Sequence, residues 1–142
     1  MFTHFGVTGP LILTASSVCA RKIREKEVKL YLDLKPALTK EQLDARILRE
    51  FDANANKQFR NVLPSFLPSK LVLVMYELCG IAPEKRIHDI TKEERERFLS
   101  CLKELELTVT GLRGYNEAII TKGGVSVKEI DPSTMESKTV PG

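Results

Sequence analysis

The chain has 142 residues, of which 42% are apolar and 29% are charged, and its formal net charge at pH 7 is +3. Between Thr39 and Leu105 there are 12 Lys and Arg residues against 11 Asp and Glu, so counterion release would be weak and we expect no nucleic-acid partner. No apolar run reaches the roughly 18 residues that cross a bilayer, and the N-terminal residues do not form a signal peptide, so we expect a cytoplasmic protein with no membrane partner.

A glycine-containing loop, a helix and a strand are the first predicted elements. Pro10 suits the first turn of a helix, where its missing N–H costs nothing, and the apolar residues between Leu11 and Cys19 continue the helical pattern. The next segment, "EVKLYLDLKP", alternates apolar and polar residues. It predicts a half-buried strand that ends before Pro36.

Three helices follow the first strand. The sequences "TKEQ" at Thr39 and "TKEE" at Thr91 both have the form of a capping box, which marks a helix start. Apolar residues at intervals of four from Leu43 to Phe59 predict one long helix. A second helix ends at Gly80, which is a natural C-terminal cap, and a third continues to Leu105.

The pattern returns to strands after the third helix. "LELTVTG", "AIIT" and "VSVKEI" each predict a short strand, with a Gly123-Gly124 turn between the last two and a further turn at Asp131. The fold class is therefore α+β: a small antiparallel sheet or barrel, with a three-helix subdomain inserted between its first and later strands. We expect residues 1–38 and 106–142 to form the β-rich part and residues 39–105 the helical subdomain.

The sequence contains no self-contained catalytic motif. The eight glycines form neither a G-x-G-x-x-G nor a P-loop pattern, so a complete dinucleotide-binding unit is missing. His4 and His88 lie far apart and outside any metal-ligand pattern, so we expect no metal site. The three cysteines are widely separated, which favours reduced thiols over a disulfide framework.

Two glycine-bearing loops are candidate sites. "FTHFGVTGP" places Thr3 and His4 just before a helix N-terminus, where free N–H groups suit an anion or a polar ring edge. "TKGGV" has no side chains at its Gly-Gly pair, which would let a flat ligand approach the backbone. On spacing alone, ordinary turns explain both loops better. We interpret a third polar segment, "LRGYNEA", as a solvent-facing turn.

The two loops together resemble a known family. The opening "FTHFGVTGP" and the closing "GYNEAIITKGGVSVKEIDPSTMESKTVPG" are similar to the YhiN/BaiN-like NAD(P)/FAD-dependent oxidoreductases, and the likeness covers essentially the whole chain. In that family a long insertion, with a β-rich and a helical part, interrupts a two-part FAD-binding domain. The family tends to have Ser where this chain has Thr8, so the hydroxyl is kept.

The resemblance implies an insertion domain that covers the flavin and shapes the substrate site. It implies FAD and NAD(P)H as cofactors of the full-length enzyme, a small organic substrate, and the FAD-binding domain of the same chain as partner. His4 would be the catalytic residue, since histidine side chains titrate near neutral pH and can donate a proton. The residues that the resemblance assigns to cofactor binding are Thr3, Gly6, Gly9, Thr121, Gly123 and Gly124.

The resemblance also implies that this chain is part of a longer enzyme. The family's dinucleotide motif lies upstream of F-T-H and its FAD domain resumes after M-E-S-K, and neither segment is present in this sequence. We therefore expect the chain alone to be inactive and to bind no FAD. The alternative is a free-standing helical module that binds a partner protein.

Overall fold

The computed structural model describes residues 1–121 and 123–140. The helices and strands in chain order are β1 Phe2–Thr3, β2 Gly6–Val7, α1 Pro10–Glu25, β3 Val28–Leu32, α2 Lys40–Ala53, α3 Phe59–Val62, α4 Ser69–Cys79, α5 Lys92–Lys103 and β4 Leu105–Val109. Single 3-10 turns lie at Leu63–Ser65, Ile87–Asp89, Tyr115–Glu117 and Val127–Glu129. The strands form two antiparallel pairs, β1 with β2 and β3 with β4. The predicted α+β class is therefore confirmed, and the described residues form no closed barrel.

The chain forms two compact units. One consists of Met1–Val28 and Thr110–Gly142, and the other of Lys29–Val109. Every fully buried side chain in the described part of the chain belongs to the second unit, which we call the helical unit. The division at residues 38 and 105 stays a prediction for the β-rich and helical parts. Among the described residues, no helix is both long and apolar enough to pass through a bilayer.

Both predicted capping boxes are present. The Thr39 hydroxyl accepts a hydrogen bond from the N–H of Gln42, whose side-chain oxygen accepts the Thr39 N–H at 3.0 Å. Thr91 and Glu94 repeat this exchange at the start of α5, with 2.8 Å for the second bond. Each cap contributes about 1 kcal/mol. At the other end of α4, Gly80 takes φ +65°, so its predicted role as a C-terminal cap is also confirmed.

Four phenylalanine rings form the centre of the helical unit. Phe98 on α5 is fully buried and lies against Phe51, Phe59 and Phe66 at centroid distances of 6.4, 5.5 and 5.6 Å. Two of these contacts are edge-to-face, a geometry that adds to the free energy of burial alone. The aliphatic side chains that complete this core are Leu43, Ile47, Val62, Leu63, Leu67, Val72, Met75, Ile81, Ile87, Leu99 and Leu102.

The β3–β4 pair joins the beginning of the helical unit to its end. The outward-facing Lys29 on β3 contacts Glu106 at 2.9 Å and donates a hydrogen bond to Thr108 at 3.0 Å, both on β4. The backbone N–H of Leu34 donates to the carbonyl of Leu102 at 2.9 Å, which extends the connection to α5. Residues of β3 alternate between exposed and half-buried, as the sequence pattern predicts.

One lysine fixes the segment between β3 and α2. Lys103, at the end of α5, forms an ion pair with Asp33 and donates to the carbonyl oxygens of Lys35 and Leu38, the latter at 2.8 Å. The hydrogen bond from Lys103 holds the pKa of the Asp33 carboxyl below its ordinary value. This ammonium group therefore satisfies three oxygens that the turn would otherwise leave to solvent.

The long helix predicted from Leu43 to Phe59 is wrong in its second half. Helix α2 ends at Ala53, where the Asn54 side chain donates to the carbonyl of Glu50 at 2.8 Å. Such local side-chain bonds compete with the helical ladder. Phe59 still points into the core, but it does so from the separate short helix α3.

One predicted helix boundary and two predicted strands on the C-terminal side are also wrong. Leu105 begins β4 instead of ending α5, since Glu104 leaves the helical conformation. The predicted strands "AIIT" and "VSVKEI" are absent from residues 118–121 and 125–130, where the side chains are almost all exposed. A short strand without a partner or a buried face is not stable. The turn at Asp131 is confirmed, because its carboxylate accepts the N–H of Ser133 at 2.8 Å.

We predict that Phe98→Ala lowers the free energy of unfolding by about 3–5 kcal/mol, since it removes a fully buried ring with three aromatic neighbours. Urea unfolding followed by circular dichroism measures the change. The control is Leu73→Ala on α4, where the side chain is 71% exposed and a change within about 0.5 kcal/mol is expected. Equal effects of the two variants would contradict the assignment of the core.

We predict that Glu94→Gln destabilises the chain at neutral pH but much less in acid. Lys85 donates to both carboxylate oxygens of Glu94 at 2.7 Å, and this hydrogen bond holds the Glu94 pKa below its ordinary value of 4.5. The ion pair therefore stabilises the fold above about pH 4.5 and is lost as the pH falls through the lowered pKa. Glutamine keeps the capping box, as Gln42 does in α2.

The measurement for Glu94→Gln is the urea midpoint of both proteins at several values between pH 7 and pH 3. Glu96→Gln is the control, because Glu96 forms only a 3.8 Å exposed pair with Lys92. A gap between wild type and Glu94→Gln that stays constant over this range would contradict the role of the ion pair.

Candidate functional site

The first candidate loop is a tight β-hairpin followed directly by α1. Thr3 pairs with Gly6 across β1 and β2, and the Thr3 hydroxyl donates to the Gly6 carbonyl at 3.1 Å. Beyond the hairpin, the N–H of Thr8 donates to the carbonyl of Met1 at 2.9 Å. These bonds fix the position of His4, which occupies the turn between the two strands.

His4 is exposed in the turn of the hairpin. Its ring lies edge-to-face against Phe5 at 4.8 Å, and within the described residues it makes no hydrogen bond. The Phe5 ring in turn lies under the guanidinium of Arg113 at 4.3 Å. Arg113 is held by Glu117, whose carboxylate accepts a hydrogen bond from Nε at 2.7 Å. The stack Glu117–Arg113–Phe5–His4 therefore supports the hairpin turn from one side.

The sequence analysis did not predict this stack of side chains. The "LRGYNEA" segment is solvent-exposed throughout, as predicted, but its Arg113 also covers the ring of Phe5 by a cation–π contact. Phe5 and Arg113 are more than a hundred residues apart, and neither lies in a periodic pattern. No signal in a single sequence connects them.

Helix α1 begins without a side-chain cap. Gly9 is the N-cap with φ +118° and ψ 168°, Pro10 takes the first helical position, and Leu13 N–H bonds back to the Gly9 carbonyl at 2.9 Å. The N–H groups of Leu11 and Ile12 have no hydrogen bond from a cap. Uncapped N–H groups at a helix start can donate hydrogen bonds to an anion or to a polar ring edge.

The glycines of both loops share one backbone feature. Gly6, Gly9, Gly123 and Gly124 all have φ between +112° and +144°, a region that side-chain-bearing residues rarely adopt. An added Cβ would meet no atom within 4 Å at three of them, and only the Met1 nitrogen at 3.9 Å from Gly9. The glycines are therefore required by backbone conformation and not by close packing.

The second loop, around Thr121, Gly123 and Gly124, is not hydrogen-bonded to the hairpin in the described residues. Thr121, Gly123 and Gly124 are exposed, and Lys122 lies outside the described residues. The structure thus builds a supported turn around Thr3, His4, Gly6 and Gly9, while the assignment of the second loop to the same site stays a prediction.

Two cavities and the cysteine thiols of the described residues lie apart from the predicted site residues. Two shallow cavities of about 450 and 410 Å³ lie in the helical unit, and none of the predicted site residues lines them. No group of three or more His, Cys, Asp or Glu side chains in the described part of the chain could hold a metal ion. Burial raises the pKa of the Cys79 and Cys101 thiols, so neither is an activated nucleophile.

Comparison with known proteins gives the family. The chain belongs to the family described as HI0933-like protein barrel and H2TH domain, which matches residues 1–120. The family resemblance inferred from the two loop motifs is thereby confirmed. The described part of this chain contains five helices and two short strand pairs.

Several curated relatives match along the entire chain. It is 28% identical over 142 residues to the ribosomal RNA dihydrouridine synthase of Escherichia coli, and 30% identical over 142 residues to that of Haemophilus influenzae, covering 100% of this chain and 33% of each relative. It is 25% identical over 141 residues to the 3-dehydro-bile acid delta(4,6)-reductase of Clostridium scindens, covering 99% of this chain and 34% of that protein. The chain thus spans about a third of the length of these relatives.

We predict that Gly9→Ala disrupts the start of α1, because alanine at φ +118° and ψ 168° is strained by roughly 1–3 kcal/mol. Amide hydrogen exchange at Leu13, whose N–H bonds to the Gly9 carbonyl, measures the loss. The matched control is Gly114→Ala, since Gly114 has φ −69° and open space around its Cα. Similar exchange rates in the two variants would contradict the strained conformation at Gly9.

Proposed function

We propose that this chain is the part of a longer flavin-dependent NAD(P)H oxidoreductase that covers the flavin and shapes the substrate site. The observation that carries the proposal is the family match together with the whole-chain similarity to relatives about three times as long. These relatives are named for a ribosomal RNA dihydrouridine synthase and for a bile acid reductase. The proposed partner of this chain is the FAD-binding domain of the same polypeptide.

Both named activities point to one reaction class. Dihydrouridine has two more hydrogens than uridine, and a delta(4,6)-reductase adds hydrogen to a conjugated ring system. Each product needs a hydride at one carbon and a proton at another. When bound, the flavin supplies the hydride that it has received from a reduced nicotinamide. A residue of the protein must then hold the substrate ring in place and provide the proton.

The hairpin turn is suited to holding the substrate ring and providing the proton. His4 is exposed, lacks a hydrogen-bond partner among the described residues, and is supported through Phe5 by Arg113. We assign His4 the role of proton donor to the substrate carbon that does not receive the hydride. The positive-φ glycines Gly6 and Gly9 leave open space beside the backbone, so the residues fit the edge of a planar ring system.

The surface of the first unit also favours a missing partner. This unit has no buried side chain among its described residues, and its exposed apolar side chains include Leu11 at 85%, Tyr115 at 83% and Val127 at 86%. A unit that buries so little apolar surface gains little free energy from folding alone. Packing against the rest of a longer polypeptide would cover this surface.

The molecule that contains the reduced ring is not identified by the reaction class. The names of the relatives divide between ribosomal RNA and a bile acid. Two expectations stay untested: the small organic substrate that the family resemblance implies, and the absence of a nucleic-acid partner that the overall charge implies. The reductase proposal holds for an RNA substrate and for a bile acid substrate, because it concerns only the ring that is reduced.

We predict that His4→Ala in the longer polypeptide slows substrate reduction by about 10² or more, the usual contribution of a positioned acid. The measurement is the anaerobic reoxidation of reduced flavin by two probes, ribosomal RNA transcribed in vitro and a 3-oxo-Δ4,6 steroid. Flavin content and the rate of flavin reduction by NADPH should stay unchanged, because His4 acts only on the substrate half-reaction.

His88→Ala is the matched control, since His88 is an exposed histidine of the helical unit whose Nδ1 lies within hydrogen-bond distance, 2.9 Å, of the Ala55 carbonyl. The 142-residue chain alone is expected to bind no stoichiometric FAD, because it has no phosphate-binding glycine motif. A longer polypeptide without flavin would sink the reductase proposal and favour the interaction module. Unchanged substrate reduction in His4→Ala would remove His4 from the mechanism.

A further inference from the structure

Helix α4 presents an apolar face to solvent. Leu73, Val74 and Leu78 are 71%, 48% and 47% exposed, and their spacing places them on one side of the helix together with the exposed Lys70 and Glu77. The opposite side of α4 packs into the core of the helical unit. Three of the five side chains on the outer face are therefore apolar.

The neighbouring helices have a different outer face. The exposed residues of α5 are Lys92, Glu93, Glu96 and Arg97, which is the usual composition of a solvated helix face. On α2, Leu48 is the one large apolar side chain that is exposed. The apolar face of α4 is thus not a general property of the helical unit.

The two charged residues of this face are placed against the helix dipole. Lys70 lies in the first turn of α4 and Glu77 in the last, and the helix has no acidic residue in its first turn and no basic residue in its last. The dipole favours the reverse arrangement. Neither side chain forms an ion pair within the described residues. The contacts of a single copy therefore do not explain this placement.

We propose that this face, defined by Lys70, Leu73, Val74, Glu77 and Leu78, binds the same face of a second copy of the chain, with the two α4 helices antiparallel. A two-fold axis between residues 73 and 74 places Leu73 of each copy opposite Val74 of the other. The same axis places Lys70 opposite Glu77, because both pairs are centred on one point of the helix. Two ion pairs then flank the apolar contact, and each charge lies near the end of the second helix that the dipole favours.

The groove beside Leu78 agrees with this arrangement. The cavity of about 450 Å³ between α4 and α5 is lined by Leu78, by the carboxylates of Glu93 and Glu96 and by the guanidinium of Arg97. In the antiparallel arrangement the start of the second α4, with its Lys70 ammonium, lies at this end of the face. The excess of carboxylate over cation complements that ammonium.

The face is complementary to itself, which is what an isologous contact requires. One helix face buries less than the roughly 1,200 Å² of a standard interface, so we expect a weak dimer that is populated above roughly 10 µM. The urea comparison of Leu73→Ala with Phe98→Ala is therefore made below this concentration, where the monomer predominates.

The test is sedimentation equilibrium of the 142-residue chain at concentrations from about 1 to about 500 µM. The wild-type chain should show a reversible monomer–dimer equilibrium. Lys70→Glu and Glu77→Lys should each weaken the dimer by about tenfold or more, because each introduces two like-charge pairs. An equal mixture of the two variants should restore the dimer, since every carboxylate of one variant then faces an ammonium of the other.

Matched controls make the same changes on α2. Lys40 is an exposed lysine in the first turn of α2, so Lys40→Glu should leave the dimer unchanged. Leu73→Gln should weaken the dimer by at least about tenfold, whereas Leu48→Gln should not. The urea midpoint of monomeric Lys70→Glu should not fall, because an acidic residue suits the first turn of a helix. Loss of the dimer is thereby distinguished from unfolding.

A wild-type chain that stays monomeric at the highest concentration, or a dimer that neither charge reversal weakens, would overturn the proposal. The longer polypeptide should also dimerise and should respond to Lys70→Glu in the same way. If it stays monomeric while the 142-residue chain dimerises, other parts of the longer polypeptide cover the face and the second copy is the wrong occupant. The reductase assignment is tested separately, because the oligomeric state is measured without flavin or substrate.

Discussion

The ring of Phe98 makes the contacts on which the helical unit depends, because its three aromatic neighbours come from three different segments. Phe51 lies on α2, Phe59 on α3 and Phe66 beyond the following 3-10 turn. The core therefore places not only the helices but also the irregular connections between them. The amide-rich segment at residues 54–61 is exposed on one side only, and Phe59 fixes it from within.

Local rules were enough to predict two helix starts and one helix end in this unit. Each of these signals lies within four residues of sequence: the capping boxes at Thr39 and Thr91 and the C-terminal cap at Gly80. All three caps are present in the structure. The end of α2 was mispredicted because the interval of four continues through Phe59. A side chain can reach the core from a helix or from a loop, and periodicity alone does not distinguish the two. What ends α2 at Ala53 is the local bond of Asn54 and pairing with residues some thirty positions later.

The candidate site was predictable only in part, for a related reason. The glycines near His4 were recognised as turn residues, and their positive φ angles agree with that interpretation. The support of the turn by Arg113 was not recognised, since a cation–π contact between distant residues has no pattern in the sequence. The strands expected after residue 117 failed because apolar alternation predicts a strand only where a partner and a buried face exist. In the described residues of that segment, neither is present, apart from a single bridge between Ile130 and Ser137.

The pairing of β3 with β4, together with the Lys103 ammonium between Asp33 and Leu38, brings the first and last residues of the helical unit side by side. Adjacent strands are only about 5 Å apart, so a host protein could accept this whole module at what is nearly a single point in its own chain. Domains with neighbouring termini are the ones that tolerate transfer and permutation. During evolution the module could therefore be exchanged as a cassette, while the rest of the polypeptide that carries it stays unchanged.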